Sequence, residues 1–259
     1  MNKKIQKILD KKDKTKIICL TAYSKNIASI LDKHCDLVLV GDSLGSVLYN
    51  YKSTKEVTLK TMINHSKSVR LGVKRSIMVV DMPYNTYRNP RAALKNAKLV
   101  LKETKCDGVK LEGGKKIIPM VKILVKNKIP VMGHVGILPQ TDKKFTFKGK
   151  KQKESERILN DTKLLEKAGA FLIVLECVET NLSKKITKQI KIPTIGIGSS
   201  ANCDGQVLVI DDLIGLSKSK FKFVKKYVDI SKIIDGAVKK YRSEVLKKIF
   251  PKAKHSFKS

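Results

Sequence analysis

The chain has 259 residues, 42% of them hydrophobic, and a formal charge of +32 from 55 basic and 23 acidic side chains. That is ample apolar material for one core, and a single α/β barrel of this length is ordinary. The charge by itself suggests a polyanion partner, but lysine is scattered along the whole chain, Trp is absent and aromatics are only 5%, so neither a basic stripe nor an aromatic RNA-binding signature is present.

Short apolar, β-branched runs alternate with longer amphipathic ones. In chain order, the pattern predicts a strand over Lys16–Thr21, a helix over Lys25–Lys33 and a strand over Leu37–Gly41. It continues with a helix over Leu59–Leu71, a strand over Ser76–Val80, a helix over Pro90–Lys105 and a strand over Gly108–Leu111. Next come a helix over Lys116–Lys126, a strand over Pro130–Gly133, a helix over Ser155–Ala168 and a strand over Phe171–Leu175. A helix over Asn181–Gln189, strands over Thr194–Ile197 and Gln206–Val209, and an amphipathic helix over about Ile230–Ile249 complete the chain. Pro90 and Pro119 suit first helical turns, and Gly169 suits a helix C-terminus. Residues 140–154 (QTDKKFTFKGKKQKE) read as a long mobile loop. The tail Lys247–Ser259 reads as a solvated end or a subunit contact.

About eight strands alternating with helices predict a single (β/α)8 TIM barrel over residues 1–259, with a C-terminal helix and tail from about 230. No GxGxxG follows the first strand, which weighs against a dinucleotide-binding sheet. Five cysteines without CxxC spacing argue against disulfides and structural zinc and for a reducing compartment. The opening MNKKIQKILDKKDK has no signal-peptide core and no segment has the length and apolarity of a membrane span, so a cytoplasmic protein is expected.

Polar residues cluster where strands end. Asp42 and Ser43 follow the second strand, Asp81 the third, Lys110 and Glu112 close the fourth, His134 the fifth, Glu176 the sixth, and Gly196–Ser199 the seventh. In a (β/α)8 barrel these ends form the catalytic face. Asp42, Asp81 and Glu112 can be helix caps and ion pairs, or an oxygen-rich site for a hard cation, Mg2+ ahead of Zn2+. Alternation points Lys110 the same way as Glu112. They can neutralise each other, or Lys110 can fix a substrate carboxylate beside the metal. Glu176 emerges from the apolar run FLIVL, a setting that suits a general acid or base. His134, in MGHVG, fits either a core histidine or a site residue.

The ordered set LVGDSLG, DMPY, VKLEGG, IPVMGHVGILPQ, AGAFLIVLE, IPTIGIG and CDGQVLVIDDLIG resembles the ketopantoate hydroxymethyltransferase family, collinearly from about Ile18 to Leu216. The resemblance implies a barrel of the phosphoenolpyruvate mutase/isocitrate lyase superfamily and transfer of a hydroxymethyl group to 3-methyl-2-oxobutanoate through a Mg2+-stabilised enolate. It also implies one Mg2+ per subunit, 5,10-methylenetetrahydrofolate as one-carbon donor and a homo-oligomer, usually a decamer. Its metal residues fall on Asp42, Asp81 and Glu112, its ketoacid-binding residues on Asp42, Ser43, Asp81 and Lys110, and its proton acceptor on Glu176. No residues are assigned to the folate. Ser24, Asn50–Lys52, Glu179, Ser199–Ser200 and the stretch Phe145–Gly149 depart from the family pattern. The alternatives are a folate-free 2-oxo acid lyase or mutase of the same superfamily, whose KKCGH motif is missing here, and a nonspecific nucleic-acid binder.

Overall fold

A computed structural model describes residues 3–142 and 146–257. The chain divides into two compact units, residues 1–209 and 210–259.

The first unit begins with a short helix, α1 (Lys3–Leu9), and then alternates strand and helix: β1 (Ile17–Thr21), α2 (Lys25–Leu31), β2 (Leu37–Val40), α3 (Leu44–Tyr49), α4 (Leu59–Gly72), β3 (Ile77–Asp81), α5 (Pro90–Thr104), β4 (Gly108–Glu112), α6 (Ile118–Lys126), β5 (Val131–Gly136), α7 (Gln152–Lys167), β6 (Leu172–Glu176), α8 (Thr180–Gln189), β7 (Thr194–Ile197) and β8 (Gly205–Leu208). All neighbouring strands are parallel, and β1 pairs with β8 to close the barrel in sequence order. The expected (β/α)8 barrel is the observed one. β2, β3 and β4 are buried at every residue, which is why β2 and β3 up to Asp81 read as continuous apolar runs, while β4 also buries Lys110 and Glu112. Pro119 lies in the first turn of α6, and Gly169, at φ +96°, follows the end of α7.

Inward-facing Ile17, Cys19, Leu37, Leu39, Ile77, Val79, Met132, Leu172, Val174, Ile195 and Val207 fill the lower barrel, and Ile5 and Ile8 of α1 join the same cluster. Apolar packing therefore fills the interior at that end, with the ion pair of Lys12 and the buried Asp204 (3.0 Å) beside Thr194 at the strand starts. No helix was expected at the lysine-rich N-terminus or over Leu44–Tyr49. Both are short, and six or seven residues carry too little periodicity to identify them.

Of the expected mobile stretch 140–154, Gln140 is buried and α7 starts at Gln152, while residues 143–145 lie outside the described residues. Lys148 is tied down as well: its N–H bonds Cys177 C=O (2.8 Å), and its ammonium lies 3.0 Å from Asp142 Oδ2.

The second unit holds a single helical turn, α9 (Ile210–Leu213), and α10 (Ile230–Leu246). No residue of α10 is buried, and Ile233, Ile234, Val238, Tyr241, Val245 and Leu246 are exposed along it. After α10, the Phe250 ring packs against Tyr241 and His255, with centroids 5.6 and 5.2 Å away.

Candidate active site

Parallel register sets the rim. Asp81 on β3 stands opposite Lys110 on β4, Glu112 on β4 opposite His134 on β5, and Gly136 on β5 opposite Glu176 on β6. The ladder runs further than the apolar runs alone suggest, so Asp81, Glu112 and Glu176 are the last residues of their strands. Lys110 Nζ lies 3.2 Å from Asp81 Oδ2 and 3.9 Å from Glu112 Oε1. His134 Nδ1 is 3.2 Å from Lys110 Nζ and 3.5 Å from Glu112 Oε1, and its Nε2 is 3.1 Å from Glu176 Oε2, within ion-pair reach but without hydrogen-bond geometry.

Asp42 enters from the β2–α3 turn, its main-chain N–H donating to Asp81 Oδ2 at 3.0 Å. Ser43 precedes α3, and its hydroxyl pairs with the Tyr23 hydroxyl at 2.8 Å. A Cβ at Gly41 would lie 2.9 Å from Ser43 Oγ and 3.7 Å from Asp81 Oδ2, so the bare glycine keeps the space before both open. Gln140, from the loop after β5, donates to Asp42 Oδ2 through Nε2 (2.7 Å) and to Glu112 Oε2 through its main-chain N–H (3.1 Å).

The backbone bends sharply at the Glu176 end of β6. Cys177 adopts φ +48°, with its N–H donating to Ile197 C=O at 2.8 Å. Gly136, at φ +101°, faces the Glu176 carbonyl so closely that any Cβ would overlap it. Burial pushes the Cys177 thiol up to about 12, which leaves it an inert neighbour of the carboxylate.

Four carboxylates here face one lysine and one histidine. Burial and the nearby Asp81 and Glu112 charges hold the Asp42 carboxyl well above its ordinary value, and burial raises Asp81 despite Lys110. Burial also works against the Lys110 ammonium, but Asp81, Glu112 and Asp42 outweigh it and keep the pKa above that of a free lysine. Burial and Lys110 push His134 down while Glu112 pushes it up, with a net rise to about 9. Since Lys110 only donates, however, its 3.2 Å contact with Nδ1 fits a neutral ring that accepts there and carries its proton on Nε2, on the Glu176 side. Glu112 stays below its usual value, since His134 and Lys110 overcome the effect of burial.

This excess of buried negative charge suits a divalent cation. Asp81 Oδ1 is buried without a hydrogen-bond partner, the sign of a carboxylate oxygen left for a ligand. Among the described residues no three such side chains form a ready-made ligand cluster. Lys110 and Gln140 are interleaved between the carboxylates, and Mg2+ tolerates this because it retains waters and takes only one or two carboxylates directly.

Every expected site residue thus lies on one rim: Asp42, Ser43, Asp81, Lys110, Glu112, His134 and Glu176. Sequence reasoning missed Gln140 and the buried Tyr87, whose hydroxyl donates to Gln140 Oε1 at 2.5 Å. Gln140 closes the motif IPVMGHVGILPQ, but a neutral amide at the edge of a polar loop carries no charge or periodicity to mark it.

The model of the family described as ketopantoate hydroxymethyltransferase matches residues 2–253. A 3-methyl-2-oxobutanoate hydroxymethyltransferase of Pelagibacter ubique (strain HTCC1062) is 65% identical over 257 residues, covering 99% of this chain and all of that one. One from Chelativorans sp. (strain BNC1) is 45% identical, covering 95% of this chain and 89% of its own length. Among solved structures, phosphonopyruvate hydrolase is similar in fold, with a TM-score of 0.65 at 10% identity over 99% of this chain and 92% of that one. Its complex with oxalate and Mg2+ gives a TM-score of 0.61 at 10% identity, over 97% of this chain and 93% of that one. A 2,3-dimethylmalate lyase of the PEP mutase/isocitrate lyase superfamily aligns at a TM-score of 0.61 and 9% identity, over 97% and 87% of the two chains. With the family model spanning nearly every residue and near-full-length relatives of one name, this chain belongs to the ketopantoate hydroxymethyltransferase family.

Proposed function

We propose that the rim transfers a hydroxymethyl group from 5,10-methylenetetrahydrofolate to 3-methyl-2-oxobutanoate, giving 2-dehydropantoate. The observation carrying this reading is the juxtaposition of a cation-seeking carboxylate set with Lys110 and, one strand beyond His134, Glu176. Asp42, Asp81 and Glu112 would hold Mg2+, as befits oxygen donors without soft ligands. When bound, the ion supplies Lewis-acid polarisation of the 2-oxo group, so that C3 becomes acidic.

The other tasks fall to protein groups. Lys110 attracts the ketoacid carboxylate, and the Ser43 hydroxyl offers a hydrogen bond in the space that Gly41 leaves open. Water opens the methylene bridge of the folate, one C–N bond breaking to leave an N-hydroxymethyl group. The Glu176 carboxylate takes the C3 proton, and the electron pair released bonds to the hydroxymethyl carbon as the remaining C–N bond breaks. The nitrogen takes a proton and tetrahydrofolate leaves. His134, wedged between Glu112 and Glu176, keeps the base aimed along the rim. Incubating the protein with the ketoacid, methylenetetrahydrofolate and Mg2+ should give ketopantoate by mass spectrometry; no product under these conditions would reject the reading.

The assembly is proposed to be a homo-oligomer, as large as a decamer, with a second copy covering the apolar residues of α10. Light scattering should give a mass several times 29.0 kDa. A cytoplasmic location belongs to the same reading; among the described residues no helix is long and apolar enough to cross a membrane.

A further inference from the structure

Gln140 grips two of the carboxylates offered to the cation. It lies in the turn Leu138–Asp142, where the N–H groups of Thr141 and Asp142 bond Leu138 C=O (2.9 and 2.8 Å) and Asp142 Oδ2 accepts from Leu138 N–H at 3.2 Å. The residue is 1% exposed. Besides Asp42 Oδ2, its Nε2 donates to Met82 C=O at 3.0 Å, while its Oε1 accepts from the Tyr87 hydroxyl at 2.5 Å. The amide has only one sensible orientation. Flipped, its oxygen would face a carboxylate and a carbonyl, and its NH2 would face the Tyr87 hydroxyl.

The buried Tyr87 therefore locks Gln140, and Gln140 locks Asp42 through its side chain and Glu112 through its backbone. The choice of a neutral donor matters. Asp42 and Asp81 are buried side by side, where like charges repel, so an unheld Asp42 would turn away. A lysine or arginine would hold it equally well but cancel the negative charge that attracts a cation. A side-chain amide supplies the hydrogen bond and leaves the charge intact.

We propose that Tyr87 and Gln140 are positioning residues of the cation site, a relay that fixes the direction in which Asp42 presents its other oxygen and keeps Glu112 beside it. This rests on the metal reading given above, and Mn2+ binding to substrate-free protein, followed by electron paramagnetic resonance, tests the two separately. Gln140→Met keeps the volume and removes the amide; it should weaken Mn2+ binding about 10–100-fold, the usual cost of losing a group that orients a metal ligand. Tyr87→Phe should weaken it in the same direction but less. The Tyr87 hydroxyl also lies 3.3 Å from Glu112 C=O and accepts from Glu112 N–H at 3.4 Å. The double variant should therefore lose less than the sum of the two single losses, because the part of Tyr87 that runs through Gln140 is already lost.

Wild-type Mn2+ affinity in a folded Gln140→Met protein overturns the proposal, even if its melting temperature has dropped, since that combination marks a packing role only. Should Gln140→Met fail to fold, Tyr87→Phe decides: unchanged affinity overturns the relay and weakened affinity supports it. The metal reading has its own control in Asp42→Asn. If that variant binds Mn2+ like the wild type, the assignment of the cation site fails, whatever Gln140 does.

Discussion

His134 stands between the two halves of the rim: its Nε2 lies 3.1 Å from Glu176 Oε2, and its Nδ1 lies 3.5 Å from Glu112 Oε1. One ring thus links the proposed base to the proposed cation site. The link is built by register, since Glu112 and His134 are paired across β4 and β5, and Glu176 lies one strand further on, opposite Gly136.

The base can be separated from one-carbon transfer. Enolisation needs only ketoacid, cation and base, so the protein should exchange the ketoacid C3 proton with D2O when folate is omitted. Glu176→Gln keeps the shape and cannot accept a proton. Exchange and product formation should fall together by about 10²–10⁴-fold while ketoacid binding survives. Exchange at the wild-type rate, read by NMR, would transfer the role of base to His134.

Metal dependence follows from the orphaned Asp81 oxygen and the surplus of buried carboxylates. Chelation with excess EDTA should abolish turnover, and Mg2+ should restore it. Asp42→Ala and Asp81→Ala should each cost at least about 100-fold in kcat/KM, roughly 3 kcal/mol of transition-state stabilisation. Undiminished turnover in EDTA would exclude the ion from the chemistry.

The barrel and most of the rim are legible in the sequence, for two physical reasons. A strand buried on both faces is apolar over most of its length, so a charge, as at the end of IMVVD or LIVLE, stands out. Alternation then places Lys110 with Glu112 without any tertiary information. What stays hidden depends on long-range contacts. Gln140 meets Asp42 across 98 positions of sequence, and the bond is made by a neutral group from a lysine-rich loop. The α1 plug is hidden in another way: only Ile5 and Ile8 are buried in a helix that otherwise reads as a solvated, basic end.

Gly136 gives a steric prediction. At φ +101°, with the Glu176 carbonyl where a Cβ would sit and Val178 Cγ2 2.7 Å from it, an alanine has to push β5 and β6 apart. Gly136→Ala should destabilise the fold by more than about 1 kcal/mol, the scale at which alanine at positive φ becomes costly. Because the displaced atom belongs to the residue carrying the proposed base, kcat should fall more than ketoacid affinity. Equal stability and kcat in the alanine variant would show that the strand ends tolerate the shift.

Asp32 gives a prediction about folding that is independent of the rim. Its carboxylate accepts main-chain hydrogen bonds from Lys74 (3.0 Å), Arg75 (2.9 and 3.0 Å) and Ser76 (2.8 Å), and so pins the turn that leads into β3. Burial favours the protonated acid, but these N–H donors outweigh it and hold the pKa below the ordinary aspartate value. The folded state therefore binds this proton less tightly than the unfolded chain. The resulting stability is fully present above the unfolded pKa of about 4 and is lost as pH falls through the lower folded pKa. Asp32→Asn should cost about 2–3 kcal/mol at neutral pH, because the amide presents an NH2 to donors that need an acceptor. Denaturant titrations of both proteins across pH should show a constant gap above about pH 5 and a shrinking one below about pH 4. A gap that stays the same into acid would mean that Asp32 acts by shape and not by charge.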